Sequence, residues 1–233
     1  PSLVVISTGD ELVDFGQAPK PHQIRRSNPY ALQAELGAFG LSESELYHLA
    51  DEKEAIKQEL RSHLANYSVL VLTGGVSMGK YDFLPQAFAE LGVEKIFHKI
   101  TQRPGKPLWF GKGPEGQLVF SLPGNPVSCL VGLRRYVIPA LFQGMGAQEG
   151  IGPHRAKWAK LTEDFSFKKA LTYFLPVKLH FSENGELMAD PVPTNGSGDY
   201  ASLSGSDGFV ELPKEQEHFS RGESFRLYTW ANS

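Results

Sequence analysis

Two adjacent carboxylates stand directly after the first apolar run of the chain. Asp10 and Glu11 follow residues 2–7 (SLVVIS), a β-branched run that predicts a strand. Carboxylates at a strand end can hold Mg²⁺, which prefers one or two carboxylates together with phosphate oxygens of a substrate. Asp51 follows another predicted strand and Asp82 a glycine-rich loop, so both are expected at the same edge. The alternatives are solvated loop acids for the first pair and a helix N-cap for Asp51.

The glycine-rich loop at residues 73–79 (TGGVSMG) joins a predicted strand to a predicted helix. Glycines let backbone N–H groups approach an anion, and the start of a helix favours negative charge. The spacing is neither that of a P-loop nor that of the dinucleotide fingerprint. Because tight turns after strands use the same residues, the loop alone leaves both an anion site and a plain turn open.

Five cations lie between Lys95 and Lys112, with no acidic residue among them. Arg103 and Lys106 belong to a turn that two prolines stiffen (RPGKP). Arginine gives oxyanions bidentate contacts and lysine gives them a point charge, so this pair predicts a polyanion site. A solvated strand face is the alternative, and it is favoured for Lys95 and Lys112.

A third strand-to-helix loop, PGNP at 123–126, opens a long apolar helix predicted at 127–142. Asn125 suits the N-cap and Pro126 the first helical position, and the free N–H groups there also suit an anion. Cys129, one turn into this helix, is expected to be packed rather than nucleophilic. The seven histidines show no metal-ligand spacing.

These loops are positioned by strands that alternate with helices. Strands are predicted at 2–7, 44–49, 68–73, 93–100, 107–110 and 117–122, and helices from Ser27 or Asn28, at 51–66, at 83–91 and at 127–142. The alternation predicts an α/β fold, a three-layer and mostly parallel sheet covered on both faces. The loops after its strands then gather at one edge, where such sheets bind ligands.

A glycine-rich linker at 143–153 changes the pattern. Beyond it, short alternating runs predict a small all-β barrel or sandwich, with strands at 156–161, 173–180, 187–191, 208–212 and 224–228. The predicted domains are therefore 1–146 and 147–233.

Composition excludes several classes of protein. The 233 residues carry a formal net charge of −3, so no overall basic field attracts nucleic acid or a membrane surface. One cysteine excludes an intramolecular disulfide and fits a reducing cytosol. No apolar run approaches the ~18 residues of a membrane span. A chain that begins with Pro1 rather than Met is expected to be a processed product or an excised fragment.

Four loop motifs in a fixed order carry a family resemblance: STGDEL (7–12), TGGVSMGKYD (73–82), RPGKPLWFG (103–111) and LPGNPVS (122–128). Together they resemble the molybdopterin-binding domain of the MoeA/gephyrin family, the molybdopterin molybdenumtransferases. Residues 195–213 resemble that family's C-terminal β-domain. The glycine loop, the PGNP loop and the attached β-domain distinguish this branch from adenylyltransferases of the MogA type and from CinA-like enzymes.

The resemblance implies that adenylylated molybdopterin binds, that molybdate is inserted at its dithiolene, and that AMP is released in a Mg²⁺-dependent step in the cytoplasm. It implies catalytic roles for Glu11, Asp51 and Asp82, with Glu11 and Asp82 as metal ligands. It also implies a set of substrate-binding residues: Thr8, Gly9, Asp10, Gly74, Gly75, Ser77, Lys99, Arg103, Lys106, Pro123, Gly124, Asn125 and Pro126.

Members of the family normally begin with about two further domains, which supply dimer contacts and catalytic acids. The resemblance therefore implies a homodimer for the full-length protein, and we expect this chain alone to bind ligand weakly and to catalyse poorly. Two alternatives remain open: a molybdopterin adenylyltransferase, and a non-catalytic scaffold module of the gephyrin type that binds peptides.

Overall fold

Strands and helices alternate in the first part of the chain, as predicted. The computed structural model describes residues 1–76, 83–148, 156–194, 196, 198 and 200–230. The elements up to the PGNP loop and its helix are β1 (Leu3–Thr8), β2 (Leu12–Val13), β3 (Ile24–Arg25), α1 (Asn28–Ala38), β4 (Ser44–Leu49), α2 (Lys53–Asn66), β5 (Val69–Thr73), α3 (Leu84–Glu90), β6 (Glu94–His98), β7 (Gln102–Arg103), β8 (Trp109–Lys112), β9 (Leu118–Leu122) and α4 (Pro126–Gly132).

Short strands dominate the rest of the chain. These elements are a π-helical turn (Leu133–Val137), α5 (Ile138–Gly144), β10 (Lys157–Leu161), β11 (Phe165–Ser166), β12 (Thr172–Phe181), β13 (Leu187–Pro191), α6 (Tyr200–Leu203), β14 (Gly208–Leu212), β15 (His218–Phe219) and β16 (Ser224–Thr229).

The helix predicted at 127–142 is interrupted by the π-helical turn. Pro139 explains the interruption, because it has no N–H to donate to the carbonyl four residues earlier and its ring crowds that carbonyl. In the described part of the chain, no helix is both long enough and apolar enough to cross a membrane.

Tertiary contacts divide the chain into two compact units. The first unit is Pro1–Ile100 with Pro107–Leu130, and the second is Thr101–Lys106 with Val131–Ser233. The bounds of these two units differ from those of the predicted domains, 1–146 and 147–233, and the predicted domain division remains a prediction. One difference is β7, which joins the second unit because it pairs with β12.

The first unit is built on a six-stranded sheet in the order β4-β1-β5-β9-β8-β6. The first four of these strands are parallel, whereas β8 runs antiparallel to both of its neighbours. A tight turn closed by the Gly113 N–H to the Gln117 carbonyl (2.8 Å) joins β8 to β9, and such a hairpin forces an antiparallel pair. The prediction of a mostly parallel sheet thus holds for the four strands β4, β1, β5 and β9, which carry the candidate loops.

Both faces of the central strands are buried. Val4 and Ile6 of β1 belong to one apolar cluster with α2 and α3, in which Phe88 is also fully buried. Val5 points to the opposite face and is equally buried, and α1 contacts β1 and β4. Helices therefore cover the sheet on both faces, which explains the near-continuous apolar runs in β1 and β5.

The second unit contains the β-domain. Its sheet runs in the order β13-β10-β16-β14-β12-β7, and β12 also pairs with β13. The strands from β13 to β12 therefore close into a small barrel, which confirms the predicted all-β domain. Its interior is filled mainly by aliphatic side chains, such as Leu161, Val177, Val210 and Leu212, each with no exposed surface.

Candidate substrate site at the carboxyl edge of the first sheet

The carboxyl ends of four neighbouring parallel strands lie at the same level. Thr8 pairs with Leu49, and Thr73 pairs with both Ser7 and Leu122. The loops that leave β1, β4, β5 and β9 therefore start side by side. They carry the Asp10–Glu11 pair, Asp51, the glycine-rich loop and the PGNP loop, as the alternation of elements predicted.

Gly74 and Gly75, at the start of the glycine-rich loop, pack tightly against the end of β1. The Gly74 N–H donates to the Leu122 carbonyl at 3.1 Å. A Cβ at Gly74 would lie 3.1 Å from both the carbonyl oxygen and Oγ1 of Thr8, and one at Gly75 would lie 2.5 Å from Cδ1 of Leu84. Both glycines also have positive φ, +91° and +66°. Only glycine fits these two positions, so the backbone itself forms this part of the edge.

Asn28 connects the start of α1 to the PGNP loop. Its side-chain Nδ2 donates to the carbonyl oxygen of Gly124 at 2.7 Å. A Cβ at Gly124 would lie 3.8 Å from Cα of Gly74, so these two glycines of the PGNP and glycine-rich loops lie close together. Sequence reasoning interpreted Ser27 or Asn28 as a helix cap. Ser27 is the N-cap residue but makes no side-chain capping bond, and Asn28 is used at the edge instead.

The predicted start of the next helix is confirmed. α4 begins at Pro126, and the Cys129 N–H donates to the Asn125 carbonyl at 3.0 Å. Cys129 is buried, as expected, and its thiol donates to the Pro123 carbonyl at 2.6 Å. Burial raises the pKa of this thiol well above its usual range, so Cys129 supports the loop and is not a nucleophile.

The acidic residues of the edge are connected directly. The Asp51 N–H donates to Oδ1 of Asp10 at 3.0 Å. Glu52 is the N-cap of α2 and the helix begins at Lys53, so the N-cap alternative for Asp51 is wrong. Burial raises the pKa of Asp51, and the negative charges of Asp10 and Glu11 add to this shift, while a backbone hydrogen bond from Asp10 opposes it. A bound cation would relieve the mutual repulsion of these carboxylates.

Glu11 folds back over its own loop. Gly9 has a φ of +131°, and a Cβ there would overlap the Glu11 carboxylate. The Leu12 N–H closes the turn by donating to the Gly9 carbonyl at 3.1 Å. Thr8, just before this turn, is 7% exposed. The exposed carboxylates thus stand on a buried strand end.

Ser7 and His48 also lie at this edge, and sequence reasoning missed them because no histidine showed ligand spacing. The Ser7 hydroxyl lies 3.0 Å from Nδ1 of His48. Burial lowers the pKa of His48 and the charge of Arg26 lowers it further, while Asp10 and Asp51 act in the opposite direction. Ser7 and His48 pair with each other, one residue before the ends of β1 and β4. This position near the strand ends is the signal that could have identified them.

The predicted cations divide between the two units. Lys99 belongs to the first unit, where its backbone has a φ of +68° and its N–H donates to the Leu108 carbonyl at 2.9 Å. Arg103 and Lys106 belong to the second unit, and both are exposed. Lys95 and Lys112 are exposed on β6 and β8, in agreement with the expected solvated strand face.

Two predicted site residues, Ser77 and Asp82, lie outside the described residues. Among the residues that the structure does describe, no three His, Cys, Asp or Glu side chains are grouped so that they could hold a metal ion. Mg²⁺ nevertheless needs only one or two carboxylates when substrate phosphates complete its shell. The oxygen donors of Asp10, Glu11 and Asp51 are of the type that Mg²⁺ prefers, so the donor chemistry of the edge fits this ion.

Two family models match successive parts of the chain. The model described as "Probable molybdopterin binding domain" matches residues 4–143. The chain belongs to this family. The model described as "MoeA C-terminal region (domain IV)" matches residues 158–230. The resemblance to the MoeA/gephyrin family that the loop motifs and the β-domain indicated is thereby confirmed.

Individual relatives agree with the family models. The chain is 45% identical over 231 residues to a molybdopterin molybdenumtransferase of Synechocystis sp., a match that covers 99% of this chain and 56% of the relative. A molybdopterin molybdenumtransferase of Bacillus subtilis is 30% identical over 228 residues, covering 97% and 52%. The chain spans about half the length of the curated relatives that it matches.

A solved structure of a MoeA protein matches this chain over its full length. The crystal structure of the molybdopterin biosynthesis MoeA protein from Pyrococcus horikoshii superimposes with a TM-score of 0.77 at 32% sequence identity. The match covers 100% of this chain and 55% of that protein. The α/β sheet followed by a β-domain is therefore the arrangement found in MoeA.

Proposed function

We propose that this molybdopterin-binding chain inserts molybdate into adenylylated molybdopterin, with release of AMP. The observation that carries the proposal is the common level of the strand ends, which brings an acidic loop, a glycine-rich loop and a helix-opening loop together. Such an edge offers oxygen ligands for a cation and backbone donors for phosphate. The names of the relatives, molybdopterin molybdenumtransferase, support this choice of reaction.

Each loop has a distinct role in the proposed reaction. Backbone N–H groups of the glycine-rich loop and of the start of α4 bind phosphate oxygens. Glu11, together with Asp82 on the strength of the resemblance, would provide oxygen ligands for the cation, with Asp51 as the third catalytic carboxylate and Asp10 as a substrate-binding residue. When bound, Mg²⁺ would neutralise the charge that develops as the phosphoanhydride is cleaved.

In this proposal, basic residues bind the oxyanions of the substrates. In the proposal, Lys99, Arg103 and Lys106 receive phosphate or molybdate, with the geometry that arginine and lysine each give to oxyanions. Ser77, Gly124 and the rest of the PGNP loop shape the pocket.

The proposal also covers the oligomeric state, the cellular location and the activity of the chain. The family resemblance supports a homodimer for the full-length protein, and the single cysteine supports a cytoplasmic location. Because the chain spans about half of its relatives, we expect weaker binding and slower turnover than a full-length relative shows.

Calorimetric titration with adenylylated molybdopterin, with and without Mg²⁺, tests the proposed site. Binding is expected to require Mg²⁺ and to weaken about tenfold in Asp51→Asn, because a charge-assisted interaction is lost. Glu52→Gln is the matched control, since Glu52 is adjacent but makes no side-chain capping bond. This control should bind as the wild type does.

The titration, together with an assay for synthesis of adenylylated molybdopterin, separates the alternatives. Binding that ignores both Mg²⁺ and Asp51→Asn would contradict the proposed acidic group. A chain that makes adenylylated molybdopterin from molybdopterin and ATP, rather than consuming it, would be an adenylyltransferase. A folded chain that binds no molybdopterin derivative, even as part of the full-length protein, would favour the scaffold alternative.

A further inference from the structure

Three aromatic rings are stacked in the second unit. Tyr173 lies nearly parallel to Phe165 and to Phe167, with ring centroids 5.9 Å and 4.4 Å away and interplanar angles of 12° and 10°. Arg103 pairs with Tyr173 in the register of β7 and β12. Its guanidinium carbon lies 6.0 Å from the centroid of the Phe167 ring. The stack therefore provides a platform for this arginine, and Phe167 is the ring over which the guanidinium lies.

The backbone beneath Arg103 is fixed independently of its side chain. Gln102 is 3% exposed, and its side-chain amide donates to the Pro104 carbonyl at 2.9 Å. The Tyr136 hydroxyl donates to the side-chain oxygen of Gln102. The Thr172 N–H also donates to the Thr101 carbonyl at 3.1 Å. The Arg103 side chain has several rotatable bonds and is attached to this fixed backbone. Its conformational entropy must therefore be lost when the guanidinium binds an anion.

We propose that Phe167 is a positioning residue, which holds the guanidinium of Arg103 ready for an oxyanion of the substrate. The inference rests on the proposed function, in which Arg103 receives phosphate or molybdate. A planar guanidinium can lie against an aromatic face while its N–H groups stay free to donate in its own plane. Restricting the side chain before the anion arrives reduces the entropy lost on binding.

Molybdate alone is the probe, titrated into the 233-residue chain by calorimetry. Phe167→Leu keeps an apolar side chain but removes the ring, and molybdate binding should weaken about two- to fivefold. Phe165→Leu is the matched control, because Phe165 stacks on the same tyrosine, whereas the guanidinium of Arg103 lies over Phe167. In an Arg103→Lys background, Phe167→Leu should have a smaller effect, since lysine lacks the planar group.

A second readout follows Arg103 itself. The side-chain NMR signals of Arg103 should carry a ring-current shift that disappears in Phe167→Leu and persists in Phe165→Leu. This shift reports the placement of the arginine whether or not a substrate binds. The dispersion of the other signals in the same spectrum shows whether each variant is folded, so loss of folding is not mistaken for loss of positioning.

Each remaining outcome overturns a defined part of the inference. Equal losses of molybdate affinity in Phe165→Leu and Phe167→Leu would indicate a general structural role for the stack. A lost ring-current shift with unchanged affinity would show that the placement of Arg103 does not serve the anion. A wild-type chain that keeps the shift but binds no molybdate would overturn the anion role of Arg103 in the proposed function, and with it the purpose assigned to Phe167.

Discussion

Replacing Gly75 by alanine is expected to destabilise the fold by about 2–5 kcal/mol. Gly75 has a φ of +66°, and an alanine side chain pays about 1–2 kcal/mol for that left-handed conformation. The added Cβ would also lie 2.5 Å from Cδ1 and 2.9 Å from Cγ of Leu84, which is 1% exposed. Moving a buried leucine aside costs a further ~1–3 kcal/mol. The two free-energy costs are expected to add, because neither the backbone at Gly75 nor the buried Leu84 side chain can relax freely.

Gly40→Ala separates the two contributions. Gly40 has a similar φ of +77°, but an added Cβ would have no atom within 4 Å. This variant should lose only the conformational part, about 1–2 kcal/mol. Urea unfolding of both variants, followed by circular dichroism, gives the difference directly when the m-values agree. Equal losses in Gly40→Ala and Gly75→Ala would refute the close contact between the glycine-rich loop and Leu84.

Three further predictions use the titratable groups. Burial and the charges of Asp10 and Glu11 raise the pKa of Asp51, so its ionised form is disfavoured in the fold and Asp51→Asn should slightly raise the unfolding free energy at pH 7 without Mg²⁺; a decrease would contradict this. Burial lowers the pKa of His63 from 6.5, so neutral His63 stabilises the fold above that pH and the contribution is lost as the pH falls. Denaturation at pH 7.5 and 5.5 should show less pH dependence of the unfolding free energy in His63→Phe than in the wild type; equal pH dependence would contradict this. The thiol of Cys129 should resist thiol reagents in the native protein and react after unfolding; rapid native labelling would show that it is not buried.

The position of the candidate site could be predicted from local sequence. β1 and β5 are short apolar runs that stop at a threonine followed by glycine, and parallel strands that alternate with helices must end at one edge. The start of α4 at Pro126 was also predictable, because proline suits the first turn of a helix. These features depend on residues that are close together in the chain.

Features that depend on distant partners could not be predicted. The Asn28 side chain meets Gly124, 96 positions away, and nothing near Asn28 distinguishes this contact from a helix cap. The assignment of Arg103 to the second unit depends on pairing with Tyr173, on a strand far along the chain. The Asp51 N–H likewise donates to the side chain of Asp10, 41 positions earlier, and Glu52 rather than Asp51 is the N-cap of α2.

The most direct test of the central claim is AMP release from adenylylated molybdopterin, measured by chromatography with and without molybdate and Mg²⁺. AMP should form only when both are present, more slowly than with a full-length relative, and more slowly still in Asp51→Asn. AMP formation that does not depend on molybdate, at a rate equal in the wild type and in Asp51→Asn, would contradict both the proposed reaction and the assigned edge.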